Sequence, residues 1–177
     1  GSVQPHRFEV FPEALQNAII ECIGNGGHIL VSGANIGTDL NDEVYPGCRD
    51  SLYQAGARHF AGAVLGYSWL TGNATRSGNV RYFSSPMMKF SETDAPFGFN
   101  QQKNNYIYNV ENPDGIVPAS SDAFTFLRYT GTDISAGICK KGKGYRSVSI
   151  GFPIETINDS GSIAALMKNI FRFFNGK

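Results

Sequence analysis

The chain has 177 residues, a formal net charge of zero and only 17% charged side chains. This length suits a single domain and is enough to bury a core without a metal or a disulfide. The neutral balance removes any general electrostatic pull toward nucleic acid or anionic membrane, and no apolar run is long enough to span a bilayer. We therefore expect no nucleic-acid partner and no membrane insertion.

The first third of the chain predicts a helix followed by a buried strand. Pro12–Ile23 carries apolar residues at helical spacing, and the glycine-rich residues 24–27 end the helix. His28–Ser32 is a short continuous apolar run, typical of a strand buried on both faces in a parallel sheet. A second helix is predicted within Val44–Ala55, and Arg58–Tyr67 is predicted to form a pair of strands.

The middle of the chain is rich in polar residues and in turn signals. Val80–Phe83 and Tyr106–Val110 are predicted strands. Between them, Ser91–Asn105 is a long polar connection, and connections of that length are typically functional or mobile. Asn112–Gly115, with the sequence Asn-Pro-Asp-Gly, is a strong turn signal.

The C-terminal third predicts a hairpin and a closing helix. Phe124–Tyr129 and Ser135–Lys140 are predicted strands, and a glycine-rich turn then leads into Tyr145–Phe152. Residues 135–152 are therefore expected to form a hairpin. Ser162–Phe174 has an apolar stripe at helical spacing. The whole chain, 1–177, is expected to be one α/β domain.

Three cysteines, Cys22, Cys48 and Cys139, are far apart in the sequence. They form no Cys-x-x-Cys pair or Cys/His cluster, so we expect no zinc site, and nothing else indicates a cofactor. The odd number leaves at least one thiol unpaired, and Cys22 and Cys139 are expected to be small core residues. The low charge and the abundant glycine favour a secreted, periplasmic or cell-surface protein. Because no strong strand opens the chain, we expect it to be a piece of a longer polypeptide.

Two segments together resemble the class I glutamine amidotransferase-like superfamily. They are Leu15–Asp39, which contains "NGGHILVSGANIGTD", and Gly142–Phe174, "GKGYRSVSIGFPIETINDSGSIAALMKNIFRFF", and they cover about a third of the chain. The segments "SGANIGTDL" and "GFPIET" are similar to segments of bacterial proteins labelled xanthan lyase. Those are large extracellular proteins linked to polysaccharide use. The resemblance implies a three-layer, flavodoxin-like α/β fold with a β-rich insertion in the middle.

The residues that a catalytic member of this superfamily needs do not match. Such an enzyme uses a cysteine on a tight elbow, a histidine base and an acid that orients the histidine. Amidotransferases carry the last two as His-Pro-Glu, but Phe152–Glu155 reads Phe-Pro-Ile-Glu, and no cysteine sits on an elbow. The resemblance therefore implies a non-catalytic accessory domain of an extracellular polysaccharide-processing protein, with other domains of the same polypeptide as partners.

Four residues are the candidate binding residues. Asn35 and Asp39 follow the first strand and Glu155 follows a late strand, at the edge where open α/β sheets bind ligands. They share one cleft if the two strands are neighbours. Trp69, the single tryptophan, is the candidate platform for stacking against a sugar ring. With the tyrosine-rich middle segment, Trp69 makes a carbohydrate-binding module, with polysaccharide as partner, the alternative function.

Other candidates have plainer interpretations. Ser32 ends a strand and precedes a glycine, but it lacks the Gly-x-Ser-x-Gly elbow of a nucleophile, so a hydroxyl that pairs with the backbone is favoured. His28 and His59 lie beside apolar strand residues, where a structural role is favoured. A polysaccharide lyase or hydrolase remains a third hypothesis. A lyase needs a base that removes the proton next to a uronate carboxylate, and no Tyr/His/Arg set at an interpretable spacing indicates one. Three carboxylates also offer oxygen ligands for calcium, but a solvated helix start is favoured: Asp39, Asp42 and Glu43.

Overall fold

The computed structural model describes residues 9–41, 51–89, 95–102 and 108–176, without the side chains of residues 51–54. The helices are α1 (Glu13–Gly24), α2 (Thr38–Asn41), α3 (Ser51–Phe60) and α4 (Ser160–Phe174), with a π-helical turn at Ala61–Leu65 and a 3-10 turn at Ile154–Thr156. The strands are β1 (Ile29–Ser32), β2 (Tyr67–Thr71), β3 (Asn79–Tyr82), β4 (Phe97–Gly98), β5 (Gly115–Pro118), β6 (Ala123–Tyr129), β7 (Ser135–Lys141) and β8 (Arg146–Ile150). No described helix has both the length and the hydropathy that a membrane crossing needs.

Six of the described strands form one curled, mixed sheet in the order β1-β8-β7-β6-β3-β4. β1 and β8 run parallel, whereas the other neighbouring strands in this sheet are antiparallel. β2 and β5 form a separate antiparallel pair. The α/β class is therefore confirmed, with a sheet that is mixed rather than parallel. β1 is an edge strand, so its four residues are only half-buried and the expected burial on both faces is wrong.

Two apolar cores lie on the two faces of the six-stranded sheet. Along β8, alternate side chains point to opposite faces, as the pleat of a strand requires. Val148 and Ile150 belong to the core that includes α4. Ser147 points to the other side, where its hydroxyl donates to the carbonyl of Leu65 at 3.1 Å. That second core is formed with α1, α2, α3 and the β2–β5 pair.

The C-terminal predictions and the strand at Val80–Phe83, which is β3, are confirmed, whereas the strand pair at Arg58–Tyr67 is wrong. The hairpin over residues 135–152 and the last helix are present. The expected strand pair at Arg58–Tyr67 is instead the end of α3 and the π-helical turn, because a short apolar run does not distinguish a buried helix from a strand. Gly66 then ends the helix with a φ of 89°, a left-handed conformation that glycine adopts readily.

Two further predicted elements touch residues outside the described part of the chain. The second helix was expected within Val44–Ala55, and α3 instead runs from Ser51 to Phe60. Residues 42–50 lie outside the description, and with them Cys48. Of the strand predicted at Tyr106–Val110, residues 108–110 have no strand pairing and residues 106–107 are not described.

The expected apolar face of α1 is only partly buried. Ile19 is buried, but Leu15, Ala18 and Cys22 are exposed, so the core role expected for Cys22 is wrong. Periodicity identifies the apolar side of a helix, but it does not reveal how much of that side the neighbouring elements cover. Cys139 is buried in β7 as expected, and burial raises the pKa of its thiol to about 12.

Candidate functional site

A buried carboxylate ties the loop after β1 to the turn before β5. The Asp114 side chain lies in the Asn-Pro-Asp-Gly turn and is completely buried. Its Oδ2 accepts hydrogen bonds from the backbone N–H of Gly37 at 2.7 Å and of Thr38 at 3.1 Å. Its Oδ1 accepts a hydrogen bond from the Thr38 hydroxyl. These bonds satisfy amides at the start of α2, which have no partner within the helix.

Trp69 packs directly on this arrangement. Its indole Nε1 donates to the Thr38 hydroxyl oxygen at 3.2 Å. A Cβ at Gly37 would lie 2.7 Å from Trp69 Cδ1, so the indole covers the glycine closely. We call Gly37, Thr38, Trp69 and Asp114 the Asp114 clamp. On the far side, the backbone of Asp114 is fixed too, because its N–H donates to the Gly151 carbonyl at 2.8 Å.

The clamp contains a carboxyl group whose pKa lies close to neutral. Burial is the largest influence on the pKa of Asp114 and raises it. The hydrogen bonds from Thr38, Gly37 and Trp69 lower it by less, so the pKa is about 6. A carboxyl with such a pKa is suited to acid–base catalysis when it touches a substrate. Asp114 has no exposed surface and its oxygens already accept bonds from the protein. The Asp114 clamp is therefore structural: it joins the start of α2 to the turn before β5.

The sequence-predicted carboxylates and amide have separate partners. β1 and β8 are neighbours, as the shared-cleft hypothesis requires. Asn35 is exposed, and its carbonyl accepts from the N–H of Asp39 at 3.3 Å. The Asp39 carboxylate holds the N–H of Val10 at 3.1 Å. Glu155 is exposed and accepts from the Tyr108 hydroxyl at 2.7 Å, with no hydrogen bond to Asn35 or Asp39.

Trp69 is half-buried and faces little open space. It lines a pocket of about 70 Å³, which has room for about two water molecules. Ligand pockets usually measure about 300 to 1,000 Å³, so this pocket is smaller than a typical ligand site. The other lining residues are Leu40, Asn41, Arg58, Ala61, Tyr67 and Ser68.

A larger opening lies on the other side of the Asn-Pro-Asp-Gly turn. It is an open groove of about 300 Å³, which we call the polar groove. Three chain segments supply its walls: one belongs to the β2–β3 connection and two belong to the β4–β5 connection. Its lining residues are Asn73, Arg76, Gln101, Glu111 and Asn112.

Backbone and amide hydrogen bonds fix the three segments of the polar groove to one another. They are Ala74 N–H to Pro113 carbonyl at 3.0 Å, Gln101 Nε2 to Thr75 carbonyl at 3.0 Å, and Val110 N–H to Asn100 carbonyl at 2.9 Å. These bonds preform the described walls of the groove. The Gln101 Oε1 atom is buried and therefore does not face the open groove.

An exposed tyrosine lies in the β4–β5 connection, which also contains three of the groove residues. The Tyr108 side chain is 56% exposed, and its backbone carbonyl accepts from Asn100 Nδ2 at 3.1 Å. Burial, the hydrogen bond to Glu155 and the Glu155 charge raise the pKa of Tyr108 to about 12. The bond to Glu155 links the ring to the 3-10 turn at Ile154–Thr156.

The described ranges contain no group of three or more His, Cys, Asp and Glu side chains that would hold a metal ion. Asp42 and Glu43, from the calcium hypothesis, lie outside those ranges. His28 accepts from the N–H of Arg146 at 3.2 Å. Neither His28 nor His59 bonds to Ser32 or to a cysteine within the described part, so the structure assembles no nucleophile and base there.

Neither Asp114 nor the polar groove is predicted from the sequence as a site. Asp114 belongs to a turn signal, and turn aspartates ordinarily face water. One signal is available, because the amides of Gly37 and Thr38 at a helix start require an acceptor. The groove residues come from three separated segments of two connections, and their proximity follows from tertiary pairing that no local pattern predicts.

Comparisons with protein-family models, curated proteins and solved structures found no significant match for this chain. Function is therefore inferred from the geometry of the clamp, the polar groove and the Tyr108–Glu155 pair.

Proposed function

We propose that this chain is a non-catalytic accessory domain of an extracellular polysaccharide-processing protein of the xanthan lyase-like kind. One observation carries the proposal: the carboxylate with the pKa best suited to catalysis, Asp114, is completely buried in a structural clamp at the sheet edge. Asp39 likewise holds the backbone of Val10. The edge that holds ligands in many α/β proteins is thus stabilised by acids that have structural partners.

The proposal includes a flavodoxin-like, class I glutamine amidotransferase-like ancestry for the fold. Its support is the parallel pair β1–β8, with α1 and α4 contributing to opposite cores. In this account the segment between α2 and β6 is the β-rich middle insertion. It supplies most of the polar groove.

Turnover assays test the non-catalytic role. The purified domain is incubated with xanthan and, separately, with glutamine. Reducing ends, unsaturated sugar and ammonia are then measured against an Asp114→Asn, Glu155→Gln double variant. We expect both proteins to match the buffer blank. Product formation by the wild-type domain that is lost in the double variant would contradict the proposal and favour the lyase or hydrolase alternative.

Carbohydrate binding without turnover is the second candidate function. The observation that favours it is an open polar groove, together with an exposed tyrosine in one of the two chain connections that line the groove. Tyr108, rather than Trp69, is the aromatic side chain with a free face for a sugar ring, because Trp69 covers Gly37 and lines the small pocket.

A further inference from the structure

The five side chains that line the polar groove share one chemical feature. Each ends in a planar group with polar atoms side by side: three carboxamides, one guanidinium and one carboxylate. Adjacent hydroxyls on a sugar ring also present two polar atoms side by side, so one planar group bonds to both. We infer that the polar groove is a binding site for a neutral saccharide, recognised through pairs of adjacent ring hydroxyls. This inference rests on the carbohydrate-binding form of the proposed function.

The charges in the groove favour a neutral ligand. Arg76 and Glu111 are both exposed and formally cancel, while the three carboxamides carry no charge. Among the described residues, no ion pair within 4.0 Å joins Arg76 to Glu111, and the Glu111 carboxylate accepts one hydrogen bond, from Asn109 Nδ2 at 3.3 Å. The lining contains no aliphatic or aromatic side chain, which makes the groove unsuitable for an apolar ligand.

The groove also needs little rearrangement to bind. Hydrogen bonds join its three chain segments, so little ordering is needed when a ligand enters. One of these bonds runs from Gln101 Nε2 to the Thr75 carbonyl at 3.0 Å and holds the Gln101 carboxamide at the groove.

Titration by nuclear magnetic resonance tests the inference. The ¹⁵N-labelled domain is titrated to millimolar concentration with cellohexaose, mannohexaose and xylohexaose, and with trigalacturonate as the acidic comparison. The observed signals are the side-chain amides of Asn73, Gln101 and Asn112. Arg76→Ala and Asn112→Ala remove groove side chains at exposed positions. Arg172→Ala and Asn17→Ala are the matched controls, on exposed faces of α4 and α1.

We expect at least one neutral hexasaccharide to shift the groove amide signals in a saturable way. Each groove variant should raise the dissociation constant by about tenfold or more, because each variant loses hydrogen bonds to the ligand. The controls should bind as the wild type does. Saturable binding that survives both groove variants would place the sugar elsewhere, overturning the inference but not the carbohydrate-binding function.

Two other results also overturn it. Saturable binding of trigalacturonate alone would contradict the neutral ligand class. A complete lack of saturable shifts would remove both the groove site and carbohydrate binding. The non-catalytic role would then be judged separately by the turnover assays.

Discussion

At the scale of single residues, Asp114 connects three parts of the chain that are distant in sequence. Its carboxylate holds the amides of Gly37 and Thr38, and its backbone bonds to Gly151 and to the hydroxyl of Tyr129. Because the carboxylate is buried, its hydrogen bonds are made without competition from water. Replacing it tests whether these bonds stabilise the fold.

Asp114→Ala should destabilise the protein, because two N–H groups at the start of α2 lose their acceptor. We expect a loss of about 3 kcal/mol in the free energy of unfolding, at the usual cost of an unsatisfied buried group. At this chain length each kcal/mol lowers the melting temperature by roughly 2–4 °C. Asp114→Asn is the matched control, since its amide oxygen still accepts from both N–H groups. Chemical denaturation at neutral pH should rank the Asn variant at or above the wild type and the Ala variant last.

The raised pKa of Asp114 predicts a pH dependence with a defined sign. Its pKa is about 6 in the folded state against 3.8 for the free group, so the folded state binds the proton more tightly. The stability from this group is fully present below about pH 4 and is lost as the pH rises through about 6.

The pH dependence is measured as the difference between the wild type and Asp114→Asn. Both proteins contain Asp122, whose lowered pKa, caused mainly by the Lys140 hydrogen bond, acts in the opposite direction and cancels in the difference. The wild type should lose on the order of 3 kcal/mol relative to the Asn variant between about pH 4 and pH 7. If the wild type keeps the same free energy of unfolding relative to the Asn variant over this pH range, or gains stability as the pH rises, the folded state does not disfavour the ionised form of Asp114.

The Tyr108–Glu155 pair gives a second prediction at this scale. Glu155→Gln removes the negative charge that disfavours the tyrosinate, so the pKa of Tyr108 should fall from about 12 toward its ordinary value. The titration is followed by ultraviolet absorbance, with Tyr108→Phe subtracted to isolate one ring. Glu111→Gln is the control, because Glu111 bonds to Asn109 rather than to Tyr108. An unchanged tyrosine titration in the Glu155→Gln variant would mean that the pair does not form.

At the scale of elements, the end of β8 fixes the position of the clamp. A Cβ at Gly151 would collide with the Asp114 carbonyl and lie 3.1 Å from the Tyr129 hydroxyl. Gly151→Ala should therefore lower the free energy of unfolding by about 1–3 kcal/mol, as overpacking of a close contact does. Gly56→Ala is the control, because its Cβ meets nothing within 4 Å. On α3 that substitution should stabilise the protein by about 1 kcal/mol through helix propensity. Equal stability of the two variants in denaturant unfolding would contradict the close approach at Gly151.

The sequence predicted those elements whose signals are local. The β7–β8 hairpin has a glycine-rich turn between apolar runs, and α4 has a clear stripe and an Asp159 side chain that caps Ser162. The prediction was wrong at Arg58–Tyr67, because the end of a helix and a π-helical turn there have the same run of apolar residues as a buried strand. It also failed for burial at α1 and β1, because edge positions depend on which partners the rest of the chain supplies.

At the scale of the whole molecule, the parallel β1–β8 pair has a structural role, and the polar loops form the candidate binding site. The pair and the Asp114 clamp stabilise the sheet edge, and the β2–β3 and β4–β5 connections form the open polar groove. The candidate residues predicted from sequence lay at strand ends, where the general rule for α/β sheets places ligands. The groove arises instead from loops of the middle segment, which no periodicity or motif in the sequence brought together.

The most direct test of the account measures binding and turnover in the same sample. The domain is heated in a calorimeter with increasing cellohexaose or xanthan fragments, and the sugar is recovered before and after incubation for mass spectrometry. A sugar that binds the native state raises the melting temperature with concentration. The account predicts such a rise with the sugar recovered intact. Shortened or unsaturated sugar in the recovered sample would contradict it and identify the domain as an enzyme.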